Sequence, residues 1–333
     1  MAAPDYSGRG IHPVPFPGRP AQEIPTRSTQ EADSKPFLGW FLSPTLEAVT
    51  VSRIPELALG KTGRKVTRVG LGGEGILRTH GLADRAHAVI DEAVGQGITY
   101  FDSARAYDGS ESYLGRYWAG HPGERARVFQ TSKSASRNGE GADADLARSL
   151  ANLHTDHLDL WQIHDIRTWD DIREIEAGGG ALDAFLQARR EGRVRHIGVT
   201  GHHDPAVLTH AVEHWPVDTV LLPANPVDGV LGGFTTGTIP AARERDLGII
   251  GMKVLGASHF PAPDAGITPA RLVRYALSSG VTLVIVGCST PAEVLALATA
   301  GRDHVPMELE EMARLEEQFR PFARELAYYR GFV

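Results

Sequence analysis

A strand followed by a helix recurs along most of this chain, and this repeat limits the folds that the chain can adopt. Short runs rich in β-branched and aromatic residues alternate with longer stretches of helical periodicity about every 30 residues. The runs predicted to be strands are Val66–Leu71, Ile98–Phe101, Arg127–Lys133, Leu158–His164, Val194–Thr200, Thr219–Asn225, Gly248–Leu255 and Val281–Gly287. Eight repeated strand-helix units predict an α/β protein with a (β/α)8 TIM barrel. In such a barrel the functional residues lie at the carboxyl ends of the strands.

The stretches between the strands predict the helices of the barrel. Several begin with proline, which is preferred in the first helical turn because it lacks an N–H, and Thr290-Pro-Ala-Glu293 is a capping box. The predicted helices are Leu82–Val94, Ala142–Leu153, Gly180–Arg190, Pro205–His214, Pro240–Arg245, Pro269–Ser279, Pro291–Ala300 and a C-terminal helix at Met307–Phe319. A glycine-bearing turn within Glu56–Val66 predicts a β-hairpin before the first strand.

A doubly wound open sheet is the competing architecture for such a repeat. That fold usually carries G-x-G-x-x-G after its first strand, where the glycines surround a dinucleotide. Gly70-Leu-Gly-Gly-Glu-Gly75 does not have this spacing, and its glycines instead indicate a close approach of the backbone to a ligand. The barrel is therefore the preferred prediction.

Residues 1–52 differ from the repeat in their proline content. The prolines of His12–Pro20 exclude a helix or a central strand, since proline lacks the N–H and fixes φ. The segment is either a polar leader or an arm that packs its aromatic residues, such as Phe16 and Trp40, on the barrel or on a second subunit. We predict a proline-rich arm at 1–52, a barrel with a C-terminal helix at 53–333, and a homo-oligomer formed through the arm.

Composition excludes several classes of partner. A formal net charge of −7 without a lysine-rich block argues against nucleic acid and against an anionic membrane. The single cysteine, Cys288, excludes an intrachain disulfide and a multi-thiolate metal site, and it suits a reducing cytoplasm. No apolar stretch approaches the roughly 20 residues that span a bilayer, and the N-terminus lacks the pattern of a secretion signal. These features predict a cytoplasmic protein with a small-molecule substrate.

Four polar residues follow successive predicted strands. Asp102, Lys133 and His164 stand where the second, third and fourth strands end, and Tyr107 lies on the loop after the second. Because neighbouring parallel strands are about 4.8 Å apart, these side chains are expected to meet at one edge of the sheet. Asp102 and Lys133 by themselves could form a structural buried pair, but all four together indicate catalysis.

The quartet suits the reduction of a carbonyl group. Hydride addition places charge on the carbonyl oxygen, so that a proton donor is needed there, and Tyr107 is the predicted donor. Lys133 is expected to lower the pKa of the phenol, Asp102 to keep Lys133 charged, and His164 to orient the substrate oxygen. The adjacent His202-His203-Asp204 is not predicted to bind a metal, because neighbouring loop residues rarely chelate together and Asp204 is a natural helix cap.

The order and spacing of several motifs resemble the aldo-keto reductase superfamily over roughly residues 54 to 304. The motifs are the hairpin, Asp102-x4-Tyr107-x-Gly-Ser-Glu111, Thr131-Ser-Lys133, Gln162-Ile-His164 and Ile197-Gly-Val-Thr200. The resemblance implies a (β/α)8 barrel, a nicotinamide cofactor bound in an extended form without a Rossmann domain, and a catalytic tetrad of Asp102, Tyr107, Lys133 and His164.

The resemblance also implies the positions that contact the cofactor, with departures. Thr200 keeps the hydroxyl that holds the carboxamide, whereas Gly201 lacks the usual amide, for which His202 is the substitute. Met252 takes the place of the stacking aromatic residue, and Lys253 is the predicted pyrophosphate contact. The predicted set is Gly73, Thr200, Gly201, His202, Asn225, Met252, Lys253, Val254, Leu255, Gly287, Ser289 and Glu293.

NADPH is the cofactor that the resemblance favours. NADH is the alternative, because no lysine or arginine for a 2'-phosphate lies between Ser289 and Glu293. The predicted function is an NAD(P)H-dependent oxidoreductase that interconverts an aldehyde or ketone and the corresponding alcohol. The alternatives are a cofactor-binding regulatory or sensor subunit of aldo-keto reductase type and a non-redox barrel lyase or epimerase.

Overall fold

Eight parallel strands close into a barrel within residues 52–331, which the computed structural model describes. In chain order the strands are β1 (Glu56–Ala58), β2 (Lys65–Thr67), β3 (Val69–Leu71), β4 (Tyr100–Phe101), β5 (Phe129–Ser134), β6 (Leu158–Ile163), β7 (Val194–Thr200), β8 (Thr219–Pro223), β9 (Gly248–Met252) and β10 (Leu283–Val286). Strands β3 to β10 pair in chain order and β10 pairs with β3, so the sheet has no open edge. This closure confirms the predicted barrel and excludes the open sheet.

Helices surround the barrel and follow its strands. They are α1 (Ala83–Gly95), α2 (Ser110–Gly120), α3 (Pro122–Arg125), α4 (Gly139–Asn152), α5 (Trp169–Glu176), α6 (Ala181–Arg190), α7 (Pro205–His214), α8 (Pro226–Leu231), α9 (Ile239–Glu244), α10 (Pro269–Ser278), α11 (Pro291–Arg302), α12 (Leu309–Phe319) and α13 (Ala323–Leu326). Where an element was predicted, its observed ends lie within three residues of the predicted ones. Within residues 52–331, no helix has the length and apolar character needed to cross a membrane.

The predicted first strand, Val66–Leu71, is divided between two structures. Its first part belongs to β2, which pairs antiparallel with β1 in the predicted hairpin, and its second part is β3 of the barrel. The hairpin contributes Leu59 and Val66, both fully buried, to the core inside the barrel. The apolar run is continuous in sequence because both halves are buried against the same core.

Five helices were not predicted, and α2 is the most important of them. Its sequence contains Gly115, Gly120 and aromatic residues, which have low helix propensity. The helix forms because Leu114 and Trp118 are buried against the barrel, so tertiary packing overrides local preference. Helices α3, α5, α8 and α13 are short and were likewise not predicted.

The strands β8 and β9 end earlier than predicted. Asn225 does not continue β8 but caps α8, where its side-chain oxygen accepts a hydrogen bond from the Asp228 N–H at 3.0 Å. Strand β9 stops at Met252, because Lys253 adopts a left-handed backbone with φ of 55°. Two polar side chains are thereby released from the sheet into the loops at its carboxyl end.

Candidate active site

A buried ion pair between Asp102 and Lys133 lies at the carboxyl end of the barrel. The Lys133 ammonium donates to Asp102 Oδ2 at 2.5 Å and to the Ser103 carbonyl at 2.8 Å, and the Thr131 hydroxyl donates to Asp102 Oδ1 at 3.0 Å. Both charged side chains are at most 1% exposed. Burial raises the pKa of Asp102, and the Lys133 ammonium acts against that shift. The pair is satisfied by hydrogen bonds, as a buried charge requires.

Tyr107 and His164 complete the quartet above this pair. Their ring centroids are 5.6 Å apart with the planes nearly perpendicular, and the Lys133 ammonium lies 4.6 Å from the centroid of the Tyr107 ring. A Cβ atom at Gly73 would lie 2.9 Å from Tyr107 Cδ2, so a larger residue there would displace the ring. The structure thus brings the four predicted residues together at one mouth.

The pKa values at this mouth differ from the expected pattern. Burial raises the pKa of Tyr107 well above its ordinary value, and the Asp102 and Glu74 carboxylates add to the rise. The predicted lowering of the Tyr107 pKa is not found, because burial and the carboxylates outweigh the cations near the ring. Burial and then Lys133 lower the pKa of His164 well below its ordinary value. At neutral pH the phenol is therefore protonated and the imidazole is neutral.

Two predicted cofactor residues at the end of β7, Thr200 and His202, make polar contacts with other protein groups. Thr200 Oγ1 accepts a hydrogen bond from the Asp165 N–H at 2.7 Å, and Gly201 is buried beside it. The ring of His202 places Nδ1 2.8 Å from the Tyr329 carbonyl and Nε2 3.1 Å from Asp165 Oδ1. Both of its ring nitrogens thus face protein oxygens, and the role of His202 as a substitute for the missing amide stays a prediction.

Asn225 is also bonded to protein groups. Its amide nitrogen donates to Asp228 Oδ2 at 3.0 Å, to the Lys253 carbonyl at 3.2 Å and to the Tyr329 hydroxyl at 3.0 Å. Tyr329 is 5% exposed and donates to Asp228. Sequence reasoning missed Tyr329, whose only signal was a cluster of aromatic and basic residues near the C-terminus. A cofactor role for Asn225 stays a prediction.

Lys253 differs from these residues because its ammonium makes no hydrogen bond or ion pair with any residue in the range 52–331. Burial lowers its pKa, and the nearby Glu74 and Asp165 carboxylates oppose that shift. Met252, which precedes it, is half-buried and packs on the barrel core. Of the next two predicted residues, Val254 is buried and Leu255 is half-buried.

The turn after β10 carries the last three predicted cofactor residues. A Cβ atom at Gly287 would lie 2.8 Å from the Glu74 carbonyl carbon, so this position has no room for a side chain. Thr290 caps α11 through the Glu293 N–H, as the capping box predicts. The Glu293 carboxylate accepts from the Ser289 N–H at 2.7 Å, one residue before the one that a capping box uses. A carboxylate therefore lies at the start of α11.

Other residues of the site were not predicted. Thr131 bonds the Asp102 carboxylate, and Arg137 bonds the backbone on which His164 stands. The Asp165 carboxylate lies 3.1 Å from His202 Nε2, and its charge opposes the lowering of the His164 pKa. The adjacency of Asp165 to His164 was a usable signal, whereas the contact of Arg137 depends on how two separate loops meet.

Comparisons with known proteins agree with this geometry. The family model described as the aldo/keto reductase family matches residues 68–262. L-galactose dehydrogenase from Arabidopsis thaliana is 28% identical over 291 residues, which cover 80% of this chain and 90% of that protein. Protein tas from Escherichia coli (strain K12) is 28% identical over 240 residues, which cover 61% of this chain and 67% of that protein.

A solved structure shows the same fold. The crystal structure of an aldo-keto reductase from Klebsiella pneumoniae in complex with NADPH superimposes with a TM-score of 0.65, covering 81% of this chain and 96% of that chain at 20% identity. The match of the family model extends over more than half of the present sequence and includes all four residues of the quartet. The chain therefore belongs to the aldo/keto reductase family of oxidoreductases.

Proposed function

We propose that this protein is an NAD(P)H-dependent oxidoreductase that interconverts an aldehyde or ketone and the corresponding alcohol, with Tyr107 as the acid/base. The observation that carries the proposal is the meeting of a protonated phenol and a neutral imidazole above a buried lysine–carboxylate pair. A proton donor and a second hydrogen-bond donor are what a carbonyl oxygen requires when hydride reaches its carbon.

The residues at the mouth fit a nicotinamide dinucleotide. Lys253 offers an ammonium without a partner in the described range, which suits a pyrophosphate, and Gly73 and Gly287 keep backbone surfaces free of side chains. When bound, the cofactor would supply the hydride. NADPH is proposed by analogy with the Klebsiella complex, and NADH is the alternative, because no lysine or arginine lies between Ser289 and Glu293 and the Glu293 carboxylate is at the start of α11.

Each residue of the quartet has a proposed role in proton transfer. Tyr107 donates its hydroxyl proton to the carbonyl oxygen, and His164 donates a hydrogen bond to the same oxygen and orients it. The Lys133 ammonium, 4.6 Å from the ring centroid, stabilises the phenolate that remains, and Asp102 holds the ammonium. Because the pKa of Tyr107 is raised, the phenol stays protonated at neutral pH, which favours reduction over alcohol oxidation.

Turnover of the cofactor tests the proposal. The purified protein is mixed with NADPH or NADH and a panel of aldehydes and ketones, and the nicotinamide absorbance is followed. Tyr107→Phe is expected to lower kcat about 10²–10⁴-fold, the contribution of general acid catalysis, while the cofactor Kd stays within about twofold. Tyr117→Phe is the control, because that hydroxyl bonds Asp91 on the outer helices. Full turnover by Tyr107→Phe would refute the proposed role.

The same assay separates the alternatives. Cofactor binding without turnover of any carbonyl would favour a sensor subunit, and the protein bonds already made by Thr200 and Asn225 are the observation behind that alternative. Conversion of a substrate without a change in nicotinamide absorbance would favour a non-redox lyase or epimerase.

A further inference from the structure

Arg137 lies in the loop after β5 and contacts the backbone at the end of β6. Its guanidinium donates to the His164 carbonyl at 2.8 Å through one terminal nitrogen and to the Asp165 carbonyl at 2.7 Å through the other. Only 14% of the side chain is exposed. Two short bonds from one rigid planar group fix the direction of two successive peptide planes.

The backbone that Arg137 holds has an unusual conformation. Asp165 has φ of 54°, in the left-handed region that a non-glycine residue rarely adopts. On the opposite side of this turn, the Asp165 N–H donates to Thr200 Oγ1 at 2.7 Å. The turn directly after His164 is thus maintained by bonds from the loop after β5 and from the end of β7.

Arg137 is itself fixed in place. Its Nε donates to Asp171 Oδ1 at 2.9 Å, and the other oxygen of Asp171 accepts from the N–H groups of Arg167 and Thr168 at the start of α5. The Arg137 carbonyl accepts from the Ala181 N–H at 2.8 Å, where α6 begins. An exposed arginine with a mobile side chain could not hold the backbone of another loop in place. Arg137 can do so because its guanidinium and its backbone carbonyl are both hydrogen-bonded.

We propose that Arg137 is a positioning residue for His164, which fixes the two carbonyls at the end of β6 and so sets the direction of the imidazole against Tyr107. The proposal rests on the proposed function of the quartet. Arg137 touches neither substrate nor cofactor in this scheme, and it acts through the backbone of His164.

The charge of Arg137 has a separate and measurable effect on the imidazole. Burial and the Lys133 ammonium lower the pKa of His164, the Asp165 carboxylate opposes them, and His202 and Arg137 add to the lowering. Removal of the guanidinium charge should therefore raise the pKa of His164.

Two substitutions separate geometry from charge. Arg137→Met removes both, while Arg137→Lys keeps the charge but replaces the planar fork by one ammonium. Arg167→Met is the matched control, because Arg167 is near the same turn but bonds the Asp165 carboxylate instead of the backbone carbonyls. The readouts are kcat and KM with 4-nitrobenzaldehyde and NADPH, and an NMR titration of the His164 imidazole, assigned by its loss in His164→Gln.

We expect Arg137→Met to lower kcat about 10–100-fold with KM within about threefold, as a small displacement of a catalytic group does, and to raise the pKa of His164. Arg137→Lys should restore the low pKa but leave kcat reduced. Wild-type kcat in folded Arg137→Met or Arg137→Lys, or an equal loss in Arg167→Met, would overturn the proposal.

The outcome is distinguishable from a failure of the proposed function. If the wild-type protein reduces no carbonyl, the proposed function fails, and the NMR titration still decides whether Arg137 acts on His164. Changed chemical shifts of the His164 imidazole in Arg137→Lys, which keeps the charge, that are absent in Arg167→Met support the positioning role, and unchanged signals refute it. This comparison does not depend on the folding of Arg137→Met, because the charge-retaining Arg137→Lys carries it.

Discussion

Tyr107 and His164 share a half-buried position at the barrel mouth, and burial acts on both in favour of the neutral form. The phenol keeps its proton because its pKa rises, and the imidazole stays unprotonated because its pKa falls. The charged members of the quartet, Asp102 and Lys133, lie deeper and neutralise each other at 2.5 Å. At the scale of single residues, the site thus combines neutral hydrogen-bond donors with a paired charge beneath them.

The lowered pKa of His164 predicts a loss of stability in acid. Its folded-state pKa lies below the ordinary value of 6.5, so between the two values the unfolded chain binds a proton that the folded chain does not. Stability that is present above pH 6.5 is therefore lost as the pH falls toward the folded pKa, with a slope of up to about 1.4 kcal/mol per pH unit.

Urea unfolding of the wild-type protein and of His164→Gln at pH 7 and pH 5 measures this effect. The wild-type protein should lose more free energy of unfolding over this interval than the variant. His202 and His304, whose pKa values are also lowered, are present in both proteins, so that the comparison isolates the effect of removing His164. Equal losses in the two proteins would show that His164 is not the group responsible.

Among the elements, α2 connects the Tyr107 loop to the barrel wall. Its Glu111 carboxylate is almost fully buried and accepts hydrogen bonds from four side chains on the Tyr107 loop, β5 and α4. The donors are Arg105, Ser132, Ser149 and Asn152, at 2.5 to 3.0 Å. Because Arg105 belongs to the loop between Asp102 and Tyr107, the placement of α2 and the placement of the phenol are coupled.

Two glycines of α2 give a matched test of its packing. A Cβ atom at Gly115 would meet the Asn152 carbonyl oxygen at 1.9 Å and Leu153 Cα at 2.8 Å, whereas one at Gly120 would meet nothing within 4 Å. Gly115→Ala should lower the free energy of unfolding by about 1–3 kcal/mol through overpacking against backbone. Gly120→Ala should raise it by about 0.4–1 kcal/mol, because the unfolded chain loses conformational freedom.

Chemical denaturation of both variants measures these two changes in the free energy of unfolding. A Gly115→Ala protein as stable as wild type would mean that the end of α4 moves away from α2 without cost, so that this contact does not determine the position of the Tyr107 loop.

In the whole molecule, elements from both ends of the described chain reach the barrel. The hairpin places Leu59 in the core inside the strands, and Tyr329 near the C-terminus bonds the loops after β7 and β8. The C-terminal segment therefore contributes contacts at the mouth of the barrel. The predicted N-terminal arm at 1–52 and its role in a homo-oligomer fall almost wholly outside the described residues.

The arm remains testable in solution. We expect deletion of residues 1–50 to change the oligomeric state or the affinity for substrate more than the stability of the barrel, since the closed sheet and its core lie within residues 52–331. Size-exclusion chromatography, steady-state kinetics and thermal unfolding of the full and shortened chains measure the three quantities. Unchanged elution and unchanged kinetics would contradict the prediction.

The local sequence pattern was sufficient to predict the barrel and the meeting of the four residues of the quartet. Most strands of the barrel are short and largely buried, and Asp102 and His164 directly follow such strands, while Lys133 is the last residue but one of its strand. Parallel strands bring their carboxyl ends to one edge whatever the loops do, so these side chains could be predicted to meet before any contact was known.

Only the tertiary structure decided the features that depend on residues far apart in the chain. Helix α2 forms through burial and not through propensity, Asn225 is bonded to Tyr329 104 positions later, and Arg137 holds the backbone after His164. The pKa of Tyr107 rises instead of falling, because burial and the Asp102 carboxylate outweigh the cations near the phenol. Desolvation and long-range hydrogen bonds are properties of the assembled protein, and the order of residues by itself does not determine them.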